Sequence, residues 1–194
     1  MAPPSKPTEK WMAHLREREG FEGKSYLDSL KKLTGGVGHL LSEEEAKMYP
    51  EGTKIGEDIT SGWLAADSAK AYSAGVEQAS EMKHQSQDMV ESLASVNFQL
   101  GTGWRKKFPS AWTALKSGNY DEAIDQVLYQ DPKDKSKKSA WSVQTPDRVK
   151  DFVGAIEKMK SDSQNPAFVA RNISREKPKK KDIAQESVFN QEKK

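Results

Sequence analysis

Two carboxylates and a histidine stand close together near the start of the chain, in a stretch rich in glycine. Glu19 precedes Asp28 by nine residues, and the segment "LTGGVGHLL" at residues 33–41 follows with His39. A pair of carboxylates across a cleft is what hydrolysis of a glycosidic bond requires, because one protonated acid donates to the leaving oxygen while one ionised group attacks the sugar or activates water. The chain contains 29 Asp and Glu residues, most of them expected at the solvated surface, so their spacing alone does not assign these roles.

Glu19 is distinguished from the other acids by its position at the end of a predicted helix. Thr8 can cap this helix and Gly20 can stop it. Trp11 and Leu15 repeat at helical spacing, which places the acid on or beside the apolar face. The negative end of the helix dipole disfavours an ionised carboxylate there, so the pKa of Glu19 is expected to rise. A raised pKa suits a general acid.

The remaining elements must position these residues. A glycine-rich, partly alternating segment over residues 26–38 predicts a small twisted sheet or β-hairpins. Beyond a loop at residues 50–56 the chain reads as helical, and the polar segment "DPKDKSKKS" at residues 131–139 is expected to be an exposed loop. We expect a helix over "ITSGWLAADSAKAYSAGVEQASEM" with Thr60 or Ser61 as its cap, and a core helix over "SQDMVESLASVNFQLG" that ends at Gly101. Further helices are expected over "SEEEAKMY", "PSAWTALKSG", "YDEAIDQVLYQ" and "TPDRVKDFVGAIEKMKS", the last with Thr145 as cap and Pro146 in its first turn.

Composition restricts the class of protein. The 194 residues are 35% hydrophobic and 31% charged, and no apolar run approaches the roughly 18 residues needed to span a bilayer. There are no cysteines and only three histidines, which stand at no metal-ligand spacing. The first ten residues, "MAPPSKPTEK", lack the apolar stretch of a secretory signal. We therefore expect a soluble protein without a metal, a cofactor or a membrane contact.

Charge and apolar content divide the chain into three parts. We expect an irregular lead-in at residues 1–8, a folded domain at residues 9–162 and a basic polar tail at residues 163–194. From Ser163 onward there are eight Lys or Arg and four Asp or Glu, so the tail carries +4 and residues 1–162 carry −2 of the overall +2. The tail has too few apolar residues to offset the cost of ordering, which predicts an extension that is flexible or is ordered by a partner.

Four blocks of sequence occur in an order that resembles the phage-type lysozymes. They are a helix followed by "EG", "Y-x-D" and "T-x-G-x-G-H-L-L", then "VNFQLGTG", "GNYDEAIDQV" and "QTPDRV", over roughly residues 9–160. The resemblance implies an α+β, lysozyme-like fold with a small N-terminal β lobe, a larger helical C-terminal lobe and the active cleft between them. It implies hydrolysis of the β-1,4 bond between N-acetylmuramic acid and N-acetylglucosamine in the bacterial cell wall, without a cofactor.

The same resemblance implies three catalytic residues. In this family the acid at the end of the first helix is the proton donor, the Asp in the hairpin is its partner carboxylate, and a nearby Thr orients the attacking water. These roles fall on Glu19, Asp28 and Thr34. The family usually has an aliphatic or aromatic residue after the Thr, whereas this chain has Gly35, which predicts a more permissive backbone.

Further residues match positions that line or support the family's cleft. Leu40, Phe98 and Gln126 fall where the family binds substrate, although plain core packing is an equal explanation for Leu40 and Phe98. His39 matches a histidine that is structural and not a metal ligand. Arg148 matches an arginine beside the catalytic acid, which it is expected to hold in place.

The resemblance implies bacterial peptidoglycan as the substrate and leaves two roles open. The chain is either a free endolysin, held in the host cytoplasm before release to the periplasm, or a virion-associated lysozyme that acts at host entry. A domain charge of −2 is poorly suited to a diffusional search for an anionic mesh. This charge favours delivery by phage tail or internal virion proteins that bind the C-terminal tail.

Two other classes of function are alternatives. A non-catalytic module could use the same scaffold to bind peptidoglycan or to build a virion, but the retained Glu19, Asp28 and Thr34 count against it. Nucleic-acid binding through "KPKKKD" at residues 177–182 rests on a single charge run, and such a run is usually only solvated surface.

Overall fold

The computed structural model describes residue 7, residues 9–28 and residues 30–173, and it describes the backbone alone at residues 9, 10, 14, 18 and 19. The predicted helix cap Thr8, most of the lead-in and the tail from residue 174 onward lie outside the described residues. Within them the chain has a small sheet lobe and a larger helical lobe. This confirms the predicted α+β, lysozyme-like architecture.

The first helix, α1 (Glu9–Glu19), joins the core of the helical lobe. Trp11 and Leu15 are buried on the predicted apolar face, and the Trp11 ring meets the Tyr72 ring edge-on at a centroid distance of 5.6 Å. Gly20 follows the helix in the left-handed conformation, with a φ of 69°. The predicted helix and its glycine stop are therefore confirmed.

Three short antiparallel strands follow and form the predicted sheet. They are β1 (Glu22–Leu27), β2 (Leu33–Gly36) and β3 (His39–Leu40), with β2 in the centre. Thr34 of β2 is paired with Tyr26 of β1 on one side and with Leu40 of β3 on the other. The sheet thus places three site candidates, at residues 28, 34 and 40, on neighbouring strands or the turn between them.

Gly35 is needed for close packing and not for an unusual backbone, contrary to the expectation. It has no positive φ. A Cβ at this position would lie 2.8 Å from Ile55 Cδ1 and 3.2 Å from the Trp63 ring. The missing side chain therefore lets the sheet approach the residues beneath it.

The rest of the described chain is mainly helical. α3 (Glu57–Ser80) and α4 (Gln87–Leu100) pack against each other, and α9 (Pro146–Ser163) packs on α4 and on α7 (Tyr120–Leu128). Among the described helices, none combines the length and apolar character needed to cross a bilayer. The elements are α2 (Glu43–Met48), α3 (Glu57–Ser80), α4 (Gln87–Leu100), α5 (Trp104–Lys107), α6 (Pro109–Ser117), α7 (Tyr120–Leu128), β4 (Tyr129–Asp131), β5 (Asp134–Lys138), α8 (Ala140–Gln144), α9 (Pro146–Ser163) and α10 (Pro166–Ile173).

Two local predictions were wrong. α3 begins at Glu57 and not after Thr60, because two acids occupy its first turn, where they complement the helix dipole. The Thr60 hydroxyl instead donates to the Glu57 carbonyl at 3.1 Å. The segment at residues 131–139 is largely exposed, as expected, although Ser139 is buried. It is mainly the turn and second strand of the β4–β5 hairpin and not a loop. The Asp131 carboxylate accepts the Lys133 N–H at 2.9 Å and stabilises the turn.

The predicted tail begins with an ordered helix. α10 packs on α9, and Phe168 packs against the hydrophobic core with its ring 6.1 Å from the His84 ring. Asn172 is buried and its Oδ1 accepts the Gln85 N–H at 2.8 Å. The folded part of the chain therefore extends past residue 162, at least to residue 173.

Two truncations should differ in stability. Both remove residues 174–194, and they differ in residues 163–173. Removal of residues 163–194 also strips Phe168 and Asn172 from the core, at a cost of about 2–3 kcal/mol, which corresponds to a fall of about 5–10 °C. Thermal unfolding followed by circular dichroism measures both. Equal melting temperatures for the two truncations would contradict the docking of α10.

Candidate active site

Glu19 is the last residue of α1, so the backbone confirms the helix-end position predicted for the acid. The apolar anchors Trp11 and Leu15 fix the helix against the lobe, and β1 begins three residues after Glu19. Its side chain is one of those that the structure does not describe. The predicted contact between Glu19 and Arg148 therefore stays a prediction.

Asp28 occupies the turn between β1 and β2, where the backbone holds its carboxylate. Oδ1 accepts hydrogen bonds from the N–H groups of Leu30 and Lys32, both at 2.8 Å. The Asp28 N–H donates to the Lys32 carbonyl at 2.9 Å, and Lys31 takes a left-handed φ of 61° to close the turn. These contacts use one carboxylate oxygen, and within the described residues Oδ2 makes no hydrogen bond. Asp28 thus presents one oxygen in a fixed orientation.

Thr34 is tied to the same turn. Its hydroxyl donates to the Lys32 carbonyl at 3.1 Å, the group that also accepts the Asp28 N–H. Thr34 is 4% exposed, while its oxygen retains lone pairs that can accept a hydrogen bond from water. The backbone of Lys32 therefore links the two candidates, and the role of Thr34 in orienting water stays a prediction.

His39 connects the sheet to two helices. Its Nδ1 lies 2.7 Å from Asp67 Oδ2 on α3, and its Nε2 lies 3.2 Å from Glu45 Oε2 on α2. The imidazole also stacks on the Trp63 ring at a centroid distance of 4.5 Å. Both ring nitrogens are thus engaged by protein side chains. The described part of the chain contains no group of three or more His, Cys, Asp or Glu side chains arranged to hold a metal ion.

The charges around His39 shift two pKa values. Burial alone would lower the pKa of His39, but the hydrogen bonds and charges of Asp67 and Glu45 together outweigh burial and raise it above the ordinary value. Burial would raise the pKa of Glu45, but the hydrogen bonds from Ser42 and His39 lower it overall. Each group is therefore stabilised in its charged form.

This cluster predicts a pH dependence of stability. Because the pKa of His39 is raised on folding, its contribution is fully present below the unfolded pKa of about 6.5 and is lost as the pH rises through the folded pKa. We expect His39→Gln to lower the free energy of unfolding more at about pH 5.5 than at about pH 9. Urea unfolding of both proteins at the two pH values measures the difference. If His39→Gln lowered the free energy of unfolding equally at both pH values, the charge on His39 would contribute nothing to stability.

A cleft of about 710 Å³ lies between the sheet lobe and the helical lobe. Leu40 of β3 and Phe98 of α4 both line it, so the structure brings these two candidates together. Leu40 is 52% exposed, which excludes core packing as the reason for its apolar character. Phe98 lines the cleft and also packs against the core. Substrate contact by either residue stays a prediction.

Two predicted site residues lie elsewhere. Gln126 is half-buried on α7 and is not among the described residues that line the cleft. Arg148 lies on the first turn of α9 and lines a second cavity, of about 530 Å³, together with Trp11 of α1. The cavity puts Arg148 beside the helix that ends at Glu19. The roles of Gln126 and Arg148 stay predictions.

Sequence reasoning missed the amide side chains that hold the cleft walls. Gln99, next to Phe98, accepts from Trp141 Nε1 at 3.1 Å and donates to Thr145 Oγ1 at 2.9 Å. The neighbouring Asn97 is buried and its amide pairs with that of Gln78 on α3, at 2.9 and 3.1 Å. Polar amides within the apolar pattern of a core helix were the signal for these positions. They fix the end of α4 at the cleft.

Comparison with known proteins identifies a family and a related phage protein. The chain matches the family model described as phage lysozyme over residues 16–139. It is 29% identical over 143 residues to the peptidoglycan hydrolase gp36 of Pseudomonas phage phiKMV, an alignment that covers 74% of this chain and 14% of that protein. The chain therefore spans only a small part of the length of this relative. The family match covers more than half of the chain, including α1's last residue, the sheet and the cleft helix α4, and the chain belongs to the phage lysozyme family.

Proposed function

We propose that the chain cleaves the β-1,4 bond between N-acetylmuramic acid and N-acetylglucosamine in bacterial peptidoglycan. Membership of the phage lysozyme family supports glycoside hydrolysis, and the similar phage protein bears the name of a peptidoglycan hydrolase. The observation that carries the proposal is the placement of two acids. α1 ends at Glu19, directly before a sheet whose first turn holds the Asp28 carboxylate by two backbone hydrogen bonds of 2.8 Å.

The proposed mechanism assigns one task to each site residue. Glu19 donates a proton to the glycosidic oxygen as the bond breaks, and ionised Asp28 acts as the partner carboxylate. Thr34 orients the attacking water from the strand beside Asp28. Leu40 and Phe98 supply apolar surface in the cleft against which sugar rings pack. No cofactor takes part in this mechanism.

The main alternative is a non-catalytic module that binds peptidoglycan or helps to build a virion. A turbidity assay on cells with a permeabilised outer membrane separates the two. An enzyme clears the suspension at a rate proportional to its concentration, whereas a binding module leaves the turbidity unchanged. Absence of clearing by the folded protein would overturn the proposed activity.

For the biological role we favour a virion-associated lysozyme that acts at host entry over a free endolysin held in the host cytoplasm. Residues 1–162 carry a charge of −2, which gives no electrostatic attraction to an anionic wall. Delivery by a phage tail or an internal virion protein would remove the need for that attraction. Mass spectrometry of purified particles tests this role, because a free endolysin is absent from them.

A further inference from the structure

One residue in the turn that holds Asp28 has an unusual backbone conformation. Lys31 has a φ of 61°, and it is the one non-glycine residue with a positive φ in the part of the chain that the structure describes. The other positive-φ positions there are glycines, such as Gly20 and Gly118. The left-handed region brings a Cβ close to the following carbonyl oxygen and is therefore unfavourable for lysine. Contacts within the turn must offset this strain.

The hydrogen bonds of Asp28 span residue 31 and hold it in this conformation. The Asp28 carbonyl accepts the Lys31 N–H at 3.0 Å, and the Asp28 N–H donates to the Lys32 carbonyl at 2.9 Å. This pattern is typical of a short hairpin loop whose last residue is left-handed and is usually glycine. The Asp28 carboxylate adds its bonds to the N–H groups of Leu30 and Lys32, both at 2.8 Å. The strained backbone and the carboxylate therefore hold each other in place.

A change in the backbone of residue 31 would disturb the groups around the carboxylate. The peptide that follows Lys31 carries the Lys32 N–H, which binds Asp28 Oδ1. Lys32 also supplies the carbonyl that accepts the Thr34 hydroxyl at 3.1 Å. Rotation of residue 31 to a negative φ would turn these groups away and would allow the carboxylate to rotate. Oδ2, the oxygen that remains for the reaction, would then lose its fixed position.

We propose that the left-handed backbone of Lys31 positions the Asp28 carboxylate for bond cleavage. Lys31 is then a positioning residue, and it acts through its backbone conformation and not through its ammonium group. The inference rests on the proposed function, in which ionised Asp28 is the partner carboxylate of Glu19. It predicts which substitutions residue 31 tolerates. Residues that accept a positive φ should preserve the rate, and β-branched residues, which avoid it, should reduce the rate.

Four variants separate the backbone of residue 31 from its charge. Lys31→Gly and Lys31→Asn remove the ammonium group, but glycine and asparagine tolerate a positive φ. Lys31→Val removes the same charge and disfavours a positive φ. Lys24→Val is the matched control, because Lys24 is also exposed but lies in β1 without a positive φ. Initial rates of fragment release over a range of purified peptidoglycan concentrations give kcat and an apparent KM for each protein.

We expect Lys31→Val to lower kcat about 10–100-fold and to leave the apparent KM unchanged, because a misplacement of about 1 Å in a reacting group slows the reaction. Lys31→Gly and Lys31→Asn should retain kcat within about twofold, since both residues accept the left-handed backbone. Lys24→Val should match the parent. A turn with a purely structural role would lower the melting temperature of Lys31→Val without changing its kcat.

The backbone amides of Leu30 and Lys32 report on the carboxylate directly, because both donate to Asp28 Oδ1. Their proton chemical shifts in isotope-labelled protein should move toward those of an unstructured peptide in Lys31→Val and should stay in place in Lys31→Asn. In Asp28→Asn the side-chain amide oxygen can still accept both N–H groups. We therefore expect Asp28→Asn to keep the turn and to lose the activity.

Two results would overturn the role of Lys31. One is a Lys31→Val protein with the kcat of the parent. The other is an equal loss of kcat in Lys31→Gly and Lys31→Val, which would assign the effect to the side chain. Lys31→Thr, which is also β-branched, provides the same test if Lys31→Val does not fold by circular dichroism.

The amide shifts also separate this inference from the proposed function. If the parent does not cleave peptidoglycan, or if Asp28→Asn cleaves it as fast as the parent, the proposed function of Asp28 fails. The shifts of Leu30 and Lys32 in Lys31→Val still decide whether residue 31 holds the carboxylate. Unchanged shifts in that variant would contradict the positioning of Asp28 by Lys31.

Discussion

Glu19→Gln should abolish hydrolysis of peptidoglycan and leave the fold intact. The amide has nearly the shape of the carboxylic acid but cannot donate the proton that the departing sugar oxygen needs, so we expect a loss of about 10²–10⁴-fold in kcat. α1 stays anchored through the buried Trp11 and Leu15, which the substitution does not touch. The release of soluble fragments from purified peptidoglycan measures the rate, and circular dichroism verifies the fold.

Glu17→Gln is the matched control for this prediction. Glu17 is exposed on the same helix, two residues before Glu19, and the substitution removes the same charge from it. We expect its activity to equal that of the parent. If Glu19→Gln retained activity within about tenfold of the parent, another group would have to be the proton donor.

Among Gly→Ala substitutions in the described helices, Gly75→Ala should cause the largest loss of stability. Gly75 lies where α3 crosses α4, and a Cβ there would stand 2.8 Å from the Val90 carbonyl oxygen and 2.9 Å from the Ala94 nitrogen. Both atoms belong to the backbone, so no side chain can rotate away and the helices must separate. We expect a loss of about 2–3 kcal/mol and a fall in melting temperature of about 5–10 °C.

Gly62→Ala on the same helix is the control for helix propensity. A Cβ at Gly62 meets no atom within 4 Å, so alanine should stabilise α3 by about 0.5–1 kcal/mol. Thermal unfolding of both variants separates packing from propensity. A Gly75→Ala protein as stable as the parent would show that α3 and α4 can move apart without cost. Because α4 carries Phe98, such movement would also widen the cleft.

The helix that ends at Glu19 and the sheet after it could be predicted because their signals are local. Helical spacing of Trp11 and Leu15 and a glycine stop define α1, and glycine-rich alternation defines the strands. The start of α3 could not be predicted from Thr60, because a threonine hydroxyl serves equally as a cap or as a donor to a carbonyl within the helix. The helix begins earlier because Glu57 and Asp58 precede Thr60 and complement the helix dipole in the first turn.

The contacts between distant residues could not be predicted. The resemblance predicts a structural role for His39, but nothing in the sequence indicates that Asp67 and Glu45 are its partners. Gly35 suggested backbone freedom, whereas the reason for it is the proximity of Ile55 and Trp63. The docking of Phe168 likewise depends on a surface formed by other helices. Each of these contacts joins residues that are distant in the sequence and that only the tertiary fold brings together.

The proposed cleavage of the β-1,4 bond after N-acetylmuramic acid is tested most directly by identifying the sugar at the new reducing end of the glycan strand. Purified peptidoglycan is digested with the protein, the products are reduced with borohydride, and the reduced sugars are identified by mass spectrometry. Cleavage of the proposed bond leaves N-acetylmuramic acid at the new reducing end, so we expect N-acetylmuramitol from the parent and none above background from Glu19→Gln. New N-acetylglucosaminitol, or free amino groups without new reducing ends, would contradict it.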